Sequence, residues 1–369
     1  MSEIYNRVYF VTGGGTGGHI YPALAVADAL SEEAKVYYVG NKRNMEFELA
    51  TKKGYKFLHV GISGMPRKLN PKFFYWGIRL VRAILYSVKY IKKYKPNAVF
   101  ATGGYVSAPM VFACILTKTP YMMHDCDAMP GLVTRRLSKR AKYVSLAFEK
   151  AKKFIPNRHA IVTGNPIRPE FQTLSKEEAR TNLGLSRNKL TMTIMGGSQG
   201  AKSINNTAVE VLKEFVQDKN IQIIFQTGKK NYEEIVEKLK LVYPAWEQEE
   251  SLIVKPYFMD MISVLKASDI VISRAGSLSL SEICASETAP ILVPFPHAAA
   301  NHQRINAKYF VEMGACIYIE DKDLEPNKLN ETISLMLDNP YKMSYLKQNS
   351  SYLAKFDATD KIVKCLKSL

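Results

Sequence analysis

Short apolar runs recur along the chain, and most are followed by a longer stretch in which apolar residues return every three or four positions. The first pattern predicts buried strands and the second amphipathic helices. In the first half the strand candidates are 7–12, 35–40, 97–101, 120–124, 143–146 and 160–163. In the second half they are 190–195, 221–226, 252–255, 269–273, 290–293 and 316–319. Strand–helix alternation of this kind predicts an α/β protein with parallel sheets covered by helices, and each half has the rhythm of a doubly wound unit. A chain of 369 residues suits two domains. The turn "TGNPIRPE", 163–170, resists both helix and strand and marks the linker. The expected division is therefore 1–164 and 165–344, with a last helical segment, about 345–369, able to pack back on the first domain.

One helical stretch differs from the others. In "NPKFFYWGIRLVRAILYSVKYIKKYKP", 70–96, Phe73, Trp76, Leu80, Ile84, Val88 and Ile91 fall on one side, and Phe74, Tyr75, Ile78, Val81 and Leu85 widen that surface. Arg79, Arg82, Lys89, Lys92, Lys93 and Lys95 are interleaved. A basic amphipathic helix can lie on an anionic membrane, and the same pattern fits a core helix with a solvated face. Phe73, Phe74, Trp76, Leu80 and Ile84 are the candidate membrane patch. Charge sharpens this picture. The net charge is +17, and residues 1–164 hold 26 Lys and Arg against 9 Asp and Glu, so the excess lies entirely in the first half. Such asymmetry points to an anionic partner, nucleic acid or an acidic membrane. No apolar run reaches the ~18–20 residues of a membrane span, and the first residues do not form a secretory signal. Five scattered cysteines without C-x-x-C spacing fit a reducing compartment. The expectation is a cytoplasmic protein, soluble or peripheral to a membrane.

A glycine turn follows the first strand of each half. In "TGGGTGGH", 12–19, Gly13, Gly15 and Gly18 have the spacing G-x-G-x-x-G. A dinucleotide-binding fold also needs an acid closing the second strand, but here Asn41, Lys42 and Arg43 follow Gly40. A P-loop needs Lys and Ser/Thr after its last glycine, where this chain has His19 and Ile20. What remains is a turn whose N–H groups and helix N-terminus take an anion, with Thr16 adding a hydroxyl, or a tight turn without ligand. His19 lies in the first helical turn, where the positive helix end disfavours imidazolium. It is suited either to accept a proton or to a structural role.

The second turn is "MGGSQG", 195–200, in which Ser198 can donate to a phosphate oxygen. Arg168, in the linker, can supply a full charge to a diphosphate. In "SRAGSLSLSEICASE", 273–287, a helix beginning near Ser279 puts Ser279 and Glu282 at capping-box spacing. The functional alternative sets Ser277, Leu278 and Ser279 against a nucleotide-sugar, with Glu282 accepting from ribose hydroxyls. In "VPFPHAAANHQRINA", 293–307, His302 and Gln303 are suited to sugar hydroxyls. His297 and His302 have no third ligand, so no metal site is expected.

Taken in order, "GGGTGGHIYPALAVADAL", "ATGGYVSAPM", "GNPIR", "GGSQGA", "RAGSLSLSE" and "NHQRINA" resemble the MurG family of bacterial glycosyltransferases over about residues 8–307. The resemblance implies a GT-B fold, two facing Rossmann-like domains with a deep inter-domain cleft. It also implies an inverting transfer without metal or cofactor, in which N-acetylglucosamine passes from UDP-N-acetylglucosamine to the 4-hydroxyl of a lipid-linked muramyl-pentapeptide. That step, lipid I to lipid II of peptidoglycan synthesis, would run at the anionic cytoplasmic face of the cell membrane. Arg168, Ser198, Phe258, Ser277, Leu278, Ser279, Glu282, His302 and Gln303 would then line the donor site, with the Phe258 backbone meeting the uracil. Thr16, Gly17, Gly18 and His19 would face the acceptor, with His19 the candidate base. One departure matters. The family shows a His-Glu-Gln-Asn run after the fourth strand, and this chain has "HDCD", 124–127. Asp127 replaces an amide that contacts sugar, and a carboxylate cannot donate unless protonated. Either His19 or Asp127 could therefore serve as base. A transferase with another lipid acceptor, such as diacylglycerol, would share these motifs. A nucleic-acid binder would use the basic half, but no nucleic-acid motif is present, so no nucleic-acid partner is expected.

Overall fold

The computed structural model describes residues 7–66, 71–197, 199–217 and 220–369. They form two compact units, one of residues up to 167 joined by 355–369 and one of residues 168–354.

In the first unit, strands β1 (Val8–Thr12), β2 (Lys35–Gly40), β3 (Lys56–His59), β4 (Ala98–Ala101), β5 (Tyr121–Asp125), β6 (Tyr143–Leu146) and β7 (Ala160–Val162) alternate with five helices. These are α1 (Gly17–Ser31), α2 (Met45–Lys52), α3 (Pro71–Tyr94), α4 (Gly104–Thr117) and α5 (Leu132–Leu137). The sheet is parallel throughout, in the order β3-β2-β1-β4-β5-β6-β7. Its inner strands β1, β2, β4 and β5 are buried on both faces, which is why they read as continuous apolar runs. On one face α3 and α4 cover a core built around Phe10, Val99, Met110 and Met123. On the other α1 covers Tyr9, Val11, Tyr38 and Phe100.

The second unit opens with α6 (Glu170–Thr173) and α7 (Lys176–Asn182). Strands β8 (Leu190–Met195), β9 (Ile221–Gln226), β10 (Leu252–Lys255), β11 (Ile270–Ser273), β12 (Ala289–Leu292) and β13 (Ile317–Tyr318) then alternate with α8 (Lys202–Val216), α9 (Tyr232–Val242), α10 (Met261–Ala267), α11 (Ser277–Ala285) and α12 (His302–Glu312). Helices α13 (Pro326–Leu337) and α14 (Pro340–Tyr352) follow. This sheet is also parallel, in the order β10-β9-β8-β11-β12-β13. At the start of β11, Asp269 receives Arg180, Lys176 and Lys347 at 2.6, 2.9 and 2.7 Å. Burial alone would raise this carboxyl, but Lys176 and Lys347 outweigh it and hold the pKa at about 2. Burial pushes Lys347 down against the pull of Asp269, and the neighbouring Lys176 and Arg180 add to the fall.

The segment expected as one helix over 345–369 is two. α14 stays with the second unit, and α15 (Ala358–Lys367) seats Ile362, Val363 and Leu366 against the core under α1. The break is "AKFD", 354–357, which carries the chain from one unit to the other. In both sheets neighbouring connections run in opposite directions from a central pair, β1/β4 in one and β8/β11 in the other. Ligands of open parallel sheets bind outside the strand C-termini at such switch points. Both glycine turns follow a strand of the switch pair.

Candidate functional site

In the first unit the chain leaves β1, turns through Gly13–Gly15 and enters α1 with Thr16 as N-cap. Gly15 has φ +85, and the loop after β4 approaches so closely that a Cβ on Gly104 would lie 2.4 Å from the Gly14 carbonyl oxygen. That loop fixes His19. The Thr102 hydroxyl donates to the His19 carbonyl at 2.6 Å, and His19 Nδ1 lies 2.9 Å from the Thr102 carbonyl. A carbonyl only accepts, so Nδ1 carries the proton and the lone pair of the neutral ring is on Nε2. The His19 and Ile20 N–H groups bond the Thr16 carbonyl, which leaves those of Gly17 and Gly18 as the outward donors of the helix N-terminus.

The end of β5 lies beside this turn: a Cβ on Gly18 would stand 3.9 Å from Cys126 Sγ. His124 is fully buried, with Nε2 3.0 Å from Asn165 Oδ1 and Nδ1 2.8 Å from the Ser145 hydroxyl. Burial lowers its pKa to about 4, so the ring is neutral and structural. Asp125 accepts from the N–H groups of Asp127 (3.3 Å) and Gly131 (2.9 Å). Burial, then the neighbouring Asp127, raises its pKa to about 7. Asp127 is half-buried. Among the described residues, one cluster of potential metal ligands exists, Asp125, Cys126 and Asp127, whose ligand atoms lie within 4.8 Å of one another.

In the second unit β8 leads through Gly196–Gly200 into α8; Ser198 lies outside the described residues. The turn rests on the loop after β9, where a Cβ on Gly200 would stand 2.1 Å from the Thr227 carbonyl oxygen. Gln226 joins two loops. Its Oε1 accepts from the Phe258 N–H at 2.9 Å, and its Nε2 faces the Gly197 carbonyl at 3.5 Å. The Phe258 N–H is therefore taken, and its backbone offers a ligand only its carbonyl. Sequence reasoning passed over Gln226, because a lone amide at a strand end carries no motif.

α11 begins two residues earlier than expected, at Ser277, with Gly276 as N-cap. The first intrahelical bond there runs from Leu280 N–H to the Gly276 carbonyl at 2.9 Å. The N–H groups of Ser277, Leu278 and Ser279 thus belong to the first turn, where the helix itself supplies no carbonyl for them. The capping box expected between Ser279 and Glu282 does not form. Glu282 instead accepts from Arg168, Nε at 3.2 Å and Nη2 at 2.9 Å, and Arg168 lies over the Phe171 ring. Burial raises the Glu282 pKa while Arg168 opposes that rise. After β12 the chain passes through left-handed Ala300 and Asn301 into α12. His302 Nδ1 donates to the Ala299 carbonyl at 2.8 Å, and Gln303 Oε1 accepts from the Phe295 N–H at 3.0 Å, leaving the Gln303 amide NH2 as its donor.

On α3 the structure divides the apolar residues between two faces. Trp76 and Leu80 pack against the core, and Trp76 Nε1 donates to the Ser63 carbonyl at 2.8 Å. Phe73 and Ile84 are half-buried. Phe74, Tyr75, Ile78, Val81 and Leu85 are exposed, Phe74 to 72%. The expected patch therefore mixes an inward stripe with an outward one. Three- and four-residue spacing cannot by itself say which side of a helix meets the sheet. No helix among the described residues is long and apolar enough to cross a membrane.

Comparison with known proteins agrees with this architecture. Residues 9–146 match the glycosyltransferase family 28 N-terminal domain, and residues 191–363 match the family 28 C-terminal domain. A Thermoanaerobacter sp. (strain X514) protein named UDP-N-acetylglucosamine--N-acetylmuramyl-(pentapeptide) pyrophosphoryl-undecaprenol N-acetylglucosamine transferase is 38% identical, covering 98% of this chain and 99% of the relative. A protein of the same name from Desulforamulus reducens is 37% identical, over 97% and 98%. The crystal structure of Acinetobacter baumannii MurG superposes with a TM-score of 0.79 at 25% identity, over 98% of this chain and all of that one. The UDP-GlcNAc 2-epimerase of Neisseria meningitidis, solved with UDP-GlcNAc, shares the fold at 14% identity and a TM-score of 0.69, over 98% of this chain and all of that one. With two parallel Rossmann-like sheets of the GT-B type and relatives matched from end to end, the chain belongs to the MurG family of N-acetylglucosamine transferases, within glycosyltransferase family 28.

Proposed function

We propose that this protein transfers N-acetylglucosamine from UDP-N-acetylglucosamine to the 4-hydroxyl of the lipid-linked muramyl-pentapeptide of peptidoglycan synthesis, with inversion at C1. The observation that carries the reading is the match over nearly the whole chain to relatives named for this reaction. The geometry supplies the parts. In the second unit, the Ser277–Ser279 N–H groups and the glycine turn before α8 offer fixed donors to a nucleotide-sugar, and Arg168 offers a full positive charge to its diphosphate. Glu282 pairs with Arg168 and holds its guanidinium in place, and the carboxylate is also suited to accept from ribose hydroxyls. Charge on the departing UDP is thereby met by protein donors, which is the role a metal ion plays in other transferases. Gln303 and His302 serve the sugar.

The acceptor reaches the first unit, where Gly17 and Gly18 offer N–H groups to its pyrophosphate. His19 Nε2 takes the hydroxyl proton, since the Thr102 carbonyl fixes the tautomer that leaves this nitrogen basic. Asp127, beside the same helix start, assists or replaces it. The outward face of α3, Phe74, Tyr75, Ile78, Val81 and Leu85 with Arg82 and Lys89, lies on the anionic cytoplasmic surface of the membrane that carries the acceptor. The protein is peripheral there and uses no nucleic-acid partner.

Turnover of UDP-N-acetylglucosamine with the lipid-linked muramyl acceptor, set against diacylglycerol, tests the reading; no product on the muramyl acceptor overturns it. His19→Ala should lower kcat by about 10²–10⁴-fold, the range of general-base contributions. Near-normal turnover in His19→Ala together with a large loss in Asp127→Ala would move the base to Asp127. An unchanged rate with EDTA is expected.

A further inference from the structure

The glycine turn of the first unit rests on a carboxylate that the reaction as described does not use. Glu46, the second residue of α2, is completely buried. Its Oε2 accepts from the Gly15 N–H at 3.3 Å, and its Oε1 accepts from the Asn41 N–H at 3.2 Å and from Asn44 Nδ2 at 3.0 Å. Space is cleared for it from two sides. A Cβ on Gly14 would fall 2.6 Å from the carboxyl carbon, and one on Gly40 would fall 2.9 Å from Cγ. The opposite side of the turn is closed by Tyr105, whose ring would stand 3.0 Å from a Cβ on Gly15 and whose hydroxyl accepts from the same Asn44 amide at 3.0 Å. Gly15 is thus clamped between a carboxylate below and an aromatic ring above, and one asparagine ties the two together.

Two consequences follow for chemistry. First, the Gly15 N–H faces a buried anion, so it is not a donor to a ligand; what the turn offers a ligand starts beyond Gly15. Second, a run of three glycines has wide backbone freedom, and freedom at Gly13–Gly15 would spread the direction of the α1 start over many orientations. Glu46 removes that freedom. We propose that Glu46 is a positioning residue for the acceptor half of the reaction: its carboxylate holds the Gly13–Gly15 turn in the one conformation that aims Gly17, Gly18 and His19 at the acceptor. The inference rests on the reading that this turn serves the acceptor, and it predicts a loss confined to that substrate.

The test compares full-length wild type, Glu46→Gln, Gly14→Ala and the double variant. Each is assayed for kcat and for KM toward UDP-N-acetylglucosamine and the lipid-linked muramyl acceptor separately, with a thermal unfolding midpoint. Gln keeps the volume but sets an NH2 group, which cannot accept, against one of the N–H donors. Misplacing a reacting group by about 1 Å costs on the order of 10²-fold. Glu46→Gln should therefore lower acceptor kcat/KM by about 10–100-fold, with KM for UDP-N-acetylglucosamine within about twofold. Gly14→Ala should do the same by pushing the carboxylate away, and the double variant should lose much less than the product of the single losses. A folded Glu46→Gln with unchanged acceptor kinetics overturns the proposal, as does equal impairment toward both substrates or a fully multiplicative double variant. If those variants fail to fold, Asn44→Ala, which removes one of the three donors and the Tyr105 tie, should still weaken acceptor kcat/KM by about threefold or more; no change there overturns the proposal too. Absence of turnover in the wild type sinks the parent reading together with this one, whereas normal wild-type turnover with unaffected variants sinks this one alone.

Discussion

His124 and Asp125 are neighbours at the end of β5 with opposite responses to protons. A buried histidine with a pKa near 4 binds fewer protons when folded than its unfolded counterpart, whose value is 6.5. It therefore makes the fold more stable as pH rises through that window. A buried aspartate raised from 3.8 to about 7 binds more protons when folded, so it makes the fold less stable as pH rises between those values. The two oppose each other up to pH 6.5, and above it only Asp125 acts. Thermal unfolding midpoints between about pH 4.5 and 7.5 check this. His124→Asn should expose a continuous decline, and Asp125→Asn should show a rise that levels off near pH 6.5. Identical profiles for the two variants would contradict both assignments. At this scale the sequence was partly legible. His19 and the Ser277–Ser279 run stood out because they sit in motifs. Glu46 and Gln226 did not, because their work is to hold N–H groups of residues far along the chain, Gly15 and Phe258, and pairing of that kind leaves no spacing to read.

Among the elements, α3 carries the sharpest prediction. Its outward residues have little packing to lose, whereas Trp76 and Leu80 are partly buried and pack against the core. Phe74→Ser combined with Ile78→Ser should reduce sedimentation with acidic liposomes several-fold and leave the unfolding midpoint nearly unchanged. Trp76→Ser should instead cost on the order of 3–5 kcal/mol of stability, the range for losing a large packed aromatic. If the outward pair leaves liposome binding intact, the membrane assignment fails. Among the described residues, twelve of the thirteen strands were legible as apolar runs. β3 was missed because it is a four-residue edge strand in which only Leu58 is buried, between the exposed Lys56 and the half-buried His59, so no run marks it. The start of α11 was missed for another reason: Gly276 caps it with no polar side chain, and the Ser279–Glu282 spacing offered a false start.

For the molecule as a whole, the doubly wound order was legible from strand–helix alternation, and the division fell near the linker turn. The return of the chain was harder to see. α15 buries Ile362, Val363 and Leu366 under α1, and Lys367 ties to Glu33 and, through its carbonyl, to Arg7. Three aliphatic side chains at ~1.5–3 kcal/mol each amount to roughly 4.5–9 kcal/mol as an upper figure, comparable with the whole stability of a domain. A chain ending at Ala354 should therefore lose amide-exchange protection across β1–β7 while β8–β13 keep theirs. Full protection in both sheets would show that α15 is dispensable.

That return also sets a clock on how the protein is made. A unit whose last helix is encoded after the whole of the second unit cannot finish folding when its own sheet has emerged. At ~5–20 residues per second, the intervening 168–354 segment takes roughly 10–40 s to synthesise. During that interval the apolar groove beneath α1 stands open on every nascent chain. The second unit can be complete before the first is, so synthesis interrupted ahead of α15 leaves one finished unit joined to one with its core still open.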